Sequence, residues 1–340
     1  DNENSLRSNM LICATKEVSG KFLIGLIGGV LERFDPQTGN VEHLLPLDPP
    51  NQNKKNDIMT IWEDTKGNIW FGTWGGGLSR IDSRTGSIEQ WKNDPLNPSS
   101  ISNDIIHSLY QDPSGLLWIG TRGGGLDLFD PSIETFRHVN LSDEGIINSE
   151  KTVILDIYQD TTGSYWFATL DQGLYHYDPD AAWFDLYRND PQNINTLGNN
   201  RIFALCAGRD GTVWIGTDGG GLYHFNPKSK TFKTYRHDPK QPNSLLKDSV
   251  ISLLMDRNGN LWVGYWMDGI SRFDPQSMTF QHFRESENGL HGESIRALCE
   301  DSLGRIWIGT EGDGISIYTP SSNSFSYYPY KANDPKGISD

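Results

Sequence analysis

One position of a repeated sequence segment carries side chains that differ widely in chemistry. It follows a Gly-Thr pair or its equivalent, and it is occupied in turn by Ile27, Trp74, Arg122, Leu170, Asp218, Trp266 and Glu311. An indole ring can stack on a sugar face, and charged side chains can bond hydroxyl groups or, for arginine, a uronate or sulfate. A purely structural turn does not need this mixture. We therefore predict ligand binding by Trp74, Trp266, Arg122, Asp218 and Glu311, with solvated turn residues as the alternative.

A second position, near the start of a predicted strand, is apolar in most copies and polar in two. It holds Ile12, Met59, His107, Leu155, Phe203, Ile251 and Arg296. A neighbouring position carries Arg201. We predict His107, Arg201 and Arg296 as further ligand-binding residues. The alternative is a buried structural role, with ion pairs to Asp57, Asp104 or Glu293.

The elements that must position these residues repeat along the chain. Leu23, Trp70, Trp118, Trp166, Trp214, Trp262 and Trp307 follow one another at intervals of 47, 48, 48, 48, 48 and 45 residues. An apolar residue, most often Phe, stands 18 residues after each of them. Self-similarity at a fixed period is typical of repeat folds, so the sequence indicates seven copies of one unit.

The sequence pattern of each unit predicts four β-strands. The first alternates apolar and small residues and ends in an Asp-x-x-Gly turn such as 112–115, where Asp can accept backbone N–H bonds. The second strand carries the Trp, and a glycine cluster such as 123–125 then forms a tight hairpin. An Asp-Pro step ends the third strand, because proline cannot continue a hydrogen-bonded ladder. The fourth strand holds an aromatic pair.

Seven such units predict an all-β fold, a seven-bladed β-propeller of four-stranded antiparallel blades. We expect a single domain over 1–340, with blades at about 8–47, 56–94, 104–142, 152–190, 200–238, 248–286 and 293–331. Because neighbouring strands are antiparallel, the second-to-third hairpins and the inter-blade links fall on one rim. That rim also holds the opening of the channel lined by the first strands, where we expect the ligand.

The two ends of the sequence resemble the two halves of an inter-blade link, at 1–9 and 333–340. No strand is left over to close the ring by exchange, so we expect blades 1 and 7 to meet by side-chain packing. We also expect the chain to be a piece excised from a longer multi-domain protein.

Composition narrows the classes of partner. A net charge of −15 disfavours nucleic acid, and the lack of a long apolar run predicts no membrane contact by this segment. No signal peptide is visible. Three cysteines cannot pair fully, and no cysteine or histidine spacing suggests zinc, so we predict no metal and no cofactor. Periodic placement predicts surface strand positions for His43, His138, His176, His224 and His282.

The unit Asp-x-x-Gly-x-Leu/Ile-Trp-Ile-Gly-Thr-x-Gly-Gly-Gly-Leu-x-x-Phe-Asp-Pro, well seen at 112–131 and 211–227, resembles the two-component regulator propeller repeat. The resemblance covers the whole chain. It implies the extracytoplasmic sensor region of hybrid two-component histidine kinases of the Bacteroidetes type, a periplasmic location and an oligosaccharide ligand. It also implies an adjacent propeller or β-sandwich domain of the same protein as a partner, and leaves a homodimer open. Blade 1 departs from the pattern at Leu23, and blade 5 at Gly208.

Two other functions compete with the sensor. A polysaccharide lyase needs a base and a group that neutralises a uronate, for which His107 with Tyr110 or Tyr158 and Arg296 are candidates. A hydrolase needs two carboxylates, for which Asp218 and Glu311 are candidates. A protein-interaction scaffold would use the same rim. We predict no catalytic residues and favour the sensor.

Overall fold

The computed structural model describes residues 6–8, 10–45, 56–141, 151–181, 183–193, 195–209, 211–285 and 289–328. The regular elements in these ranges are β-strands, which form seven four-stranded antiparallel sheets. This confirms the predicted all-β, seven-bladed β-propeller. The chain divides into two compact units, 1–61 with 237–340 and 62–236. No helix within the described ranges is long and apolar enough to cross a membrane.

Each sheet contains four strands that are consecutive in the sequence and hydrogen-bonded in sequence order. Blades 1 to 3 comprise β1 (Leu11–Lys16), β2 (Phe22–Leu26), β3 (Val30–Phe34), β4 (Val41–His43), β5 (Ile58–Glu63), β6 (Ile69–Thr73), β7 (Leu78–Ile81), β8 (Ile88–Trp91), β9 (Ile106–Gln111), β10 (Leu117–Thr121), β11 (Leu126–Asp130) and β12 (Thr135–Val139). Blades 4 and 5 comprise β13 (Ile154–Gln159), β14 (Tyr165–Thr169), β15 (Leu174–Asp178), β16 (Trp183–Tyr187), β17 (Ile202–Ala207), β18 (Val213–Thr217), β19 (Gly221–Asn226) and β20 (Thr231–Tyr235). Blades 6 and 7 comprise β21 (Val250–Met255), β22 (Leu261–Tyr265), β23 (Ile270–Asp274), β24 (Thr279–Phe283), β25 (Ile295–Glu300), β26 (Ile306–Thr310), β27 (Ile315–Thr319) and β28 (Ser324–Tyr328).

The second strands form the centre of the core. Their five-residue segments are buried throughout, because both faces of these strands are covered. The tryptophans pack between neighbouring blades. Trp70 of blade 2 lies 5.8 Å from Phe129 of blade 3, and Trp262 of blade 6 lies 5.0 Å from Tyr318 of blade 7.

An aspartate in the first turn fixes the tryptophan in five blades. In blade 4, one carboxylate oxygen of Asp160 accepts N–H bonds from Thr162 at 2.8 Å and Ser164 at 3.2 Å. The other oxygen accepts the indole N–H of Trp166 at 2.8 Å. The equivalent Asp–Trp bonds are 2.8 to 3.1 Å long and join Asp64 to Trp70, Asp112 to Trp118, Asp160 to Trp166, Asp256 to Trp262, and Asp301 to Trp307. The turn bonds were predicted from the sequence, and the bond to the indole was not.

A buried polar side chain on the third strand ties each of four blades to the link that precedes it. Backbone N–H groups of Arg7, Ser102, Gly198 and His291 donate to Glu32, Asp127, Tyr223 and Ser316, each of which lies 25 residues later. We call this contact the link bond. Its donor and acceptor recur with the repeat, so it belongs to the scaffold.

The histidines are more than surface residues. His43, His138 and His282 lie on fourth strands, and their Nδ1 atoms bond inward to Glu32, Asp127 and Ser271 at 2.8, 2.6 and 2.8 Å. The prediction of surface positions is wrong for His176 and His224. Both are half-buried, with ring centroids 4.2 and 4.0 Å from those of Trp166 and Trp214.

Blades 7 and 1 lie in the same unit and pack against each other. The ring of Trp307 is 5.0 Å from Phe22 and 5.2 Å from Phe34 of blade 1. One isolated antiparallel bridge joins Met10 to Glu311. Among the described residues, no strand of one blade enters the sheet of the other. The link-like segment 333–340, and most of 1–9, lie outside the described residues.

We expect Asp160→Ala to lower the free energy of unfolding by about 2–4 kcal/mol, since the buried indole N–H of Trp166 and two turn N–H groups lose a charged acceptor. The matched control is Asp178→Ala in the same blade. Asp178 accepts N–H bonds from Asp180 and Ala181 in an exposed turn, so its loss should change stability by about 1 kcal/mol or less. Urea denaturation measures both. Equal losses in the two variants would contradict the role assigned to the Asp–Trp bond.

We expect Glu32→Gln to flatten the pH dependence of stability. Burial raises the pKa of Glu32 to about 8 from an ordinary value of 4.5. Between these values the folded protein holds a proton that the unfolded chain releases, so the wild type loses stability as the pH rises through this window. The amide of Gln keeps an acceptor for the Arg7 N–H and does not titrate. Denaturation of both proteins at about pH 5 and about pH 8 tests this, and an unchanged slope in the variant would contradict it.

Candidate functional site

The residue that follows Gly-Thr, here called the hairpin position, is held by its backbone. In six blades its N–H donates to the backbone carbonyl of the residue just before the first strand of the same blade. Examples are the bonds from Arg122 to Ile105 at 2.9 Å and from Glu311 to Ser294 at 3.0 Å. The side chain is thereby left to vary while the backbone stays fixed. This explains why the seven blades tolerate six different residue types at one position.

The same hairpin is bonded to the link that leads into the next blade. The N–H of Gly77 donates to the backbone carbonyl of Asp104 at 2.9 Å, and the N–H of Gly269 donates to the backbone carbonyl of Glu293 at 2.8 Å. Gly77 has φ of 79°, and a Cβ there would overlap the carbonyl oxygen of Trp91. Only glycine therefore allows this approach. These bonds confirm that hairpins and links lie together.

The second variable position is a β-bulge. In six blades the register between the first and second strands skips one residue: Ile12, His107, Leu155, Phe203, Ile251 or Arg296. A bulge places two residues opposite one and turns a side chain away from the regular alternation. We call this the bulge position. The bulge gives His107 and Arg296 an orientation that the strand alternation alone does not predict.

Trp74, His107 and Arg122 form one cluster, here the Trp74 cluster. The guanidinium carbon of Arg122 lies 4.8 Å from the ring centroid of Trp74. His107 meets the same indole edge-on, with ring centroids 5.6 Å apart and an interplanar angle of 90°. The bulge residue of blade 3 thus lies beside the hairpin residue of blade 2 and shares it with the hairpin residue of blade 3.

The imidazole of His107 is neutral at physiological pH. Burial, with a smaller contribution from the positive charge of Arg122, lowers its pKa to about 4. Its Nε2 atom is buried and has no hydrogen-bond partner in the described part of the chain. Arg122 is exposed, and no carboxylate of the described residues pairs with it. Among the described residues, the Trp74 cluster therefore carries one positive charge without a carboxylate bound to it.

Trp266, Arg296 and Glu311 form the Trp266 cluster, at the equivalent positions of blades 6 and 7. The guanidinium carbon of Arg296 lies 4.4 Å from the ring centroid of Trp266. Its Nε and Nη2 atoms donate to one oxygen of Glu311 at 2.9 and 2.8 Å. Trp266 keeps 37% of its surface exposed. This cluster has no net charge.

Arg201 and Asp218 form the third group, an exposed ion pair with an N–O distance of 3.1 Å. The guanidinium carbon of Arg201 also lies 5.9 Å from the ring centroid of Phe203, which occupies the bulge position of blade 5. The eight predicted site residues thus fall into three groups, each built from hairpin positions and residues at the start of a first strand.

The alternative interpretation, in which His107, Arg201 and Arg296 form ion pairs with Asp57, Asp104 or Glu293, is not seen among the described residues. Arg201 and Arg296 pair instead with hairpin carboxylates, because the backbone bonds place the hairpin beside the start of the first strand. Asp57 accepts the N–H of Gly28 at 2.8 Å, and Asp104 accepts the N–H of Asn93 at 2.7 Å. Sequence reasoning found the variable positions but missed their pairing.

The groups named for catalysis have other partners. Tyr110 donates to Gln159 at 2.8 Å, and burial raises the pKa of Tyr158 to about 12. Asp218 and Glu311 are each bound to an arginine. No three His, Cys, Asp or Glu side chains among the described residues converge as metal ligands.

Sequence reasoning also missed a polar cleft at the hairpin of blade 3. It has a volume of about 420 Å³ and lies between the link that leads into blade 3 and the hairpin of that blade. Its lining includes Asn93, Asn97, Ser102, Gly123 and His138. Gly123 directly follows Arg122. The Asn-Asp-Pro composition of the link was the available signal, since it places amide and carboxylate groups next to a hairpin.

Comparison with known proteins agrees with this architecture. Residues 100–123, 196–219, 244–267 and 289–312 match the family model of the two component regulator propeller. Each match starts in a link and ends just past the hairpin position. Four segments of the chain thus match the repeat that the sequence resemblance indicated. A search of curated proteins found no match.

Solved structures share the fold at low identity. The extracellular domain of the putative hybrid two component system BT3049 from B. thetaiotaomicron is 22% identical with a TM-score of 0.75, over 96% of this chain and 41% of that one. The extracellular domain of the putative one component system BT4673 from the same organism is 18% identical with a TM-score of 0.60, over 95% and 47%. Virginiamycin B lyase from Staphylococcus aureus is 15% identical with a TM-score of 0.69, over 93% and 97%. The chain spans less than half the length of each of the two extracellular domains. Because the identities are low, these likenesses establish the fold alone.

Substitution of two tryptophans that lie four residues apart should lower stability by very different amounts. Trp262→Ala should lower the free energy of unfolding by about 3–5 kcal/mol, because Trp262 is fully buried. Trp266→Ala should lower it by about 1 kcal/mol or less, since it removes an exposed ring and one cation–π contact. Chemical denaturation compares the two. A large loss for Trp266→Ala would show that the Trp266 cluster is part of the scaffold.

Proposed function

We propose that the chain is the ligand-sensing module of a two-component regulatory system and that it binds an oligosaccharide. The observation that carries the proposal is the contrast between scaffold and variable positions. Buried positions repeat from blade to blade, whereas the hairpin and bulge positions break the pattern and gather into clusters. Two of these clusters are built on tryptophan, the side chain that best stacks on sugar rings.

The clusters suit a sugar chemically. In each of them a guanidinium covers part of the indole and holds the ring in place. Arginine N–H groups next to an aromatic face can donate to hydroxyls while the ring contacts the C–H face of the sugar. The polar cleft near Arg122 has the size of a small-ligand site and offers amide and hydroxyl groups.

The native setting is part of the same proposal. The solved structures with the same fold include extracellular domains of a putative hybrid two component system and of a putative one component system, which supports a periplasmic location. A second propeller or β-sandwich of the same protein would receive the signal, and a homodimer is an alternative receiver. A sensor needs a ligand that favours one arrangement of such partners over another.

We propose no catalytic activity for this chain. The carboxylates that hydrolysis would use are bound to arginines, and the tyrosines named for a lyase are partly buried with raised pKa values. The likeness to virginiamycin B lyase reflects the fold. Fold alone does not assign a reaction.

A glycan array followed by calorimetry on the strongest hit tests the proposal. We expect binding without product formation. Trp74→Ala or Trp266→Ala should lower the affinity by about tenfold or more, by analogy with the stacking of nucleic-acid bases on aromatic side chains, which is worth about 1–3 kcal/mol per ring. Trp183→Ala is the matched control, because Trp183 is 50% exposed on the outer strand β16, away from the clusters.

Three results would count against the proposal. Turnover of the glycan would favour an enzyme. An array without hits, together with capture of a defined protein by the same surface, would favour the interaction scaffold. Unchanged affinity in both cluster variants would remove the clusters from the binding site.

A further inference from the structure

The Trp74 and Trp266 clusters occupy equivalent positions but differ in charge. Each combines a hairpin tryptophan, the bulge residue of the next blade and the hairpin residue of that blade. In the Trp266 cluster the bulge arginine is bound twice to Glu311. In the Trp74 cluster the cation is the hairpin residue Arg122, and the bulge residue is a neutral His107. Equivalent geometry therefore presents a neutral pair at one cluster and, within the part of the chain that the structure describes, a cation without a carboxylate partner at the other.

The unpaired state of Arg122 stands out in this protein. The chain has 44 acidic residues against 29 basic ones, so an exposed arginine meets a carboxylate easily. Arg201 and Arg296, which lie at comparable places, each have one within 3.1 Å. Arg122 has none among the described residues, and its guanidinium N–H groups make no hydrogen bond there. A guanidinium offers five N–H donors in a fork that matches a carboxylate or a sulfate.

A second unmet group lies in the same cluster. Nε2 of His107 is buried without a partner. A buried polar atom without a partner destabilises the free protein, and a ligand oxygen that reached it would remove that penalty. Two groups that could each bond an oxygen therefore lie against one indole.

We propose that the Trp74 cluster binds the anionic group of an acidic saccharide, a uronate carboxylate or a sulfate ester, with Arg122 as its partner and Trp74 against the sugar ring. This rests on the proposed function and specifies the ligand class of one cluster. The Trp266 cluster, with Arg296 already neutralised by Glu311, binds uncharged sugar units.

The test uses three probes that share one sugar ring: D-glucose, D-glucuronate and D-glucose 6-sulfate. The readout is the indole N–H chemical shift of Trp74 in the ¹⁵N-labelled protein, assigned with Trp74→Phe. We expect saturable shifts with the two acidic sugars and binding weaker by about tenfold or more with glucose, as for loss of a charged hydrogen bond. Arg122→Gln should remove this difference, whereas Arg84→Gln, at an exposed arginine in the turn after β7, should not.

Glu311→Gln provides the reciprocal variant. It frees Arg296 beside Trp266, so the indole signal of Trp266 should begin to respond to the acidic sugars. A response confined to glucuronate or to the sulfate ester also supports the proposal and identifies the anion. The proposal is overturned if neither acidic sugar gives a saturable shift, if glucose binds equally well, or if Arg122→Gln leaves the preference intact. Neutral glycans that still bind on the array would show that the proposed function survives that failure, whereas an empty array would show that both have failed.

Discussion

The bond between a turn carboxylate and a buried indole is the constraint on which the packing of five of the seven blades depends. The aspartate closes the turn between the first two strands and holds the tryptophan of the second strand from beneath, at 2.8 to 3.1 Å in five blades. The indole in turn fills the space against the next blade. Because the same carboxylate bonds the turn N–H groups and the indole, it connects the local structure of the turn to the packing of the tryptophan.

The fold could be read from the sequence because its determinants are periodic. A tryptophan every 48 or 45 residues, glycines at hairpins and aspartates at turns each have a simple local cause. The link bond was not foreseen, although its residues are also periodic. Its donor is a backbone N–H, and its acceptors Glu32, Asp127, Tyr223 and Ser316 share only polarity. A pattern search by residue type does not detect a position that conserves hydrogen bonding with different side chains.

The candidate site could be predicted only as a set of positions. Variation at the hairpin and bulge positions was visible in the sequence, but which residues meet depends on backbone geometry. The bulge turns Arg296 toward Glu311 of its own blade and Trp266 of the preceding one, so its partner is not Glu293. Likewise, the prediction that Trp74 and Trp266 bind a ligand did not include the arginine that lies over each ring. Periodicity identifies what is scaffold, and three-dimensional structure is needed to pair what remains.

A repeat fold of this kind separates stability from recognition. The hairpin residue is held through its own N–H and through the glycines that follow it, none of which depends on its side chain. Substitution there changes surface chemistry while the Asp–Trp bonds and the buried second strands stay intact. The same separation explains how different blades can present a neutral pair at one cluster and, among the described residues, an unpaired guanidinium at an equivalent one. Charge at these positions is free to follow the ligand, because the fold places no demand on it.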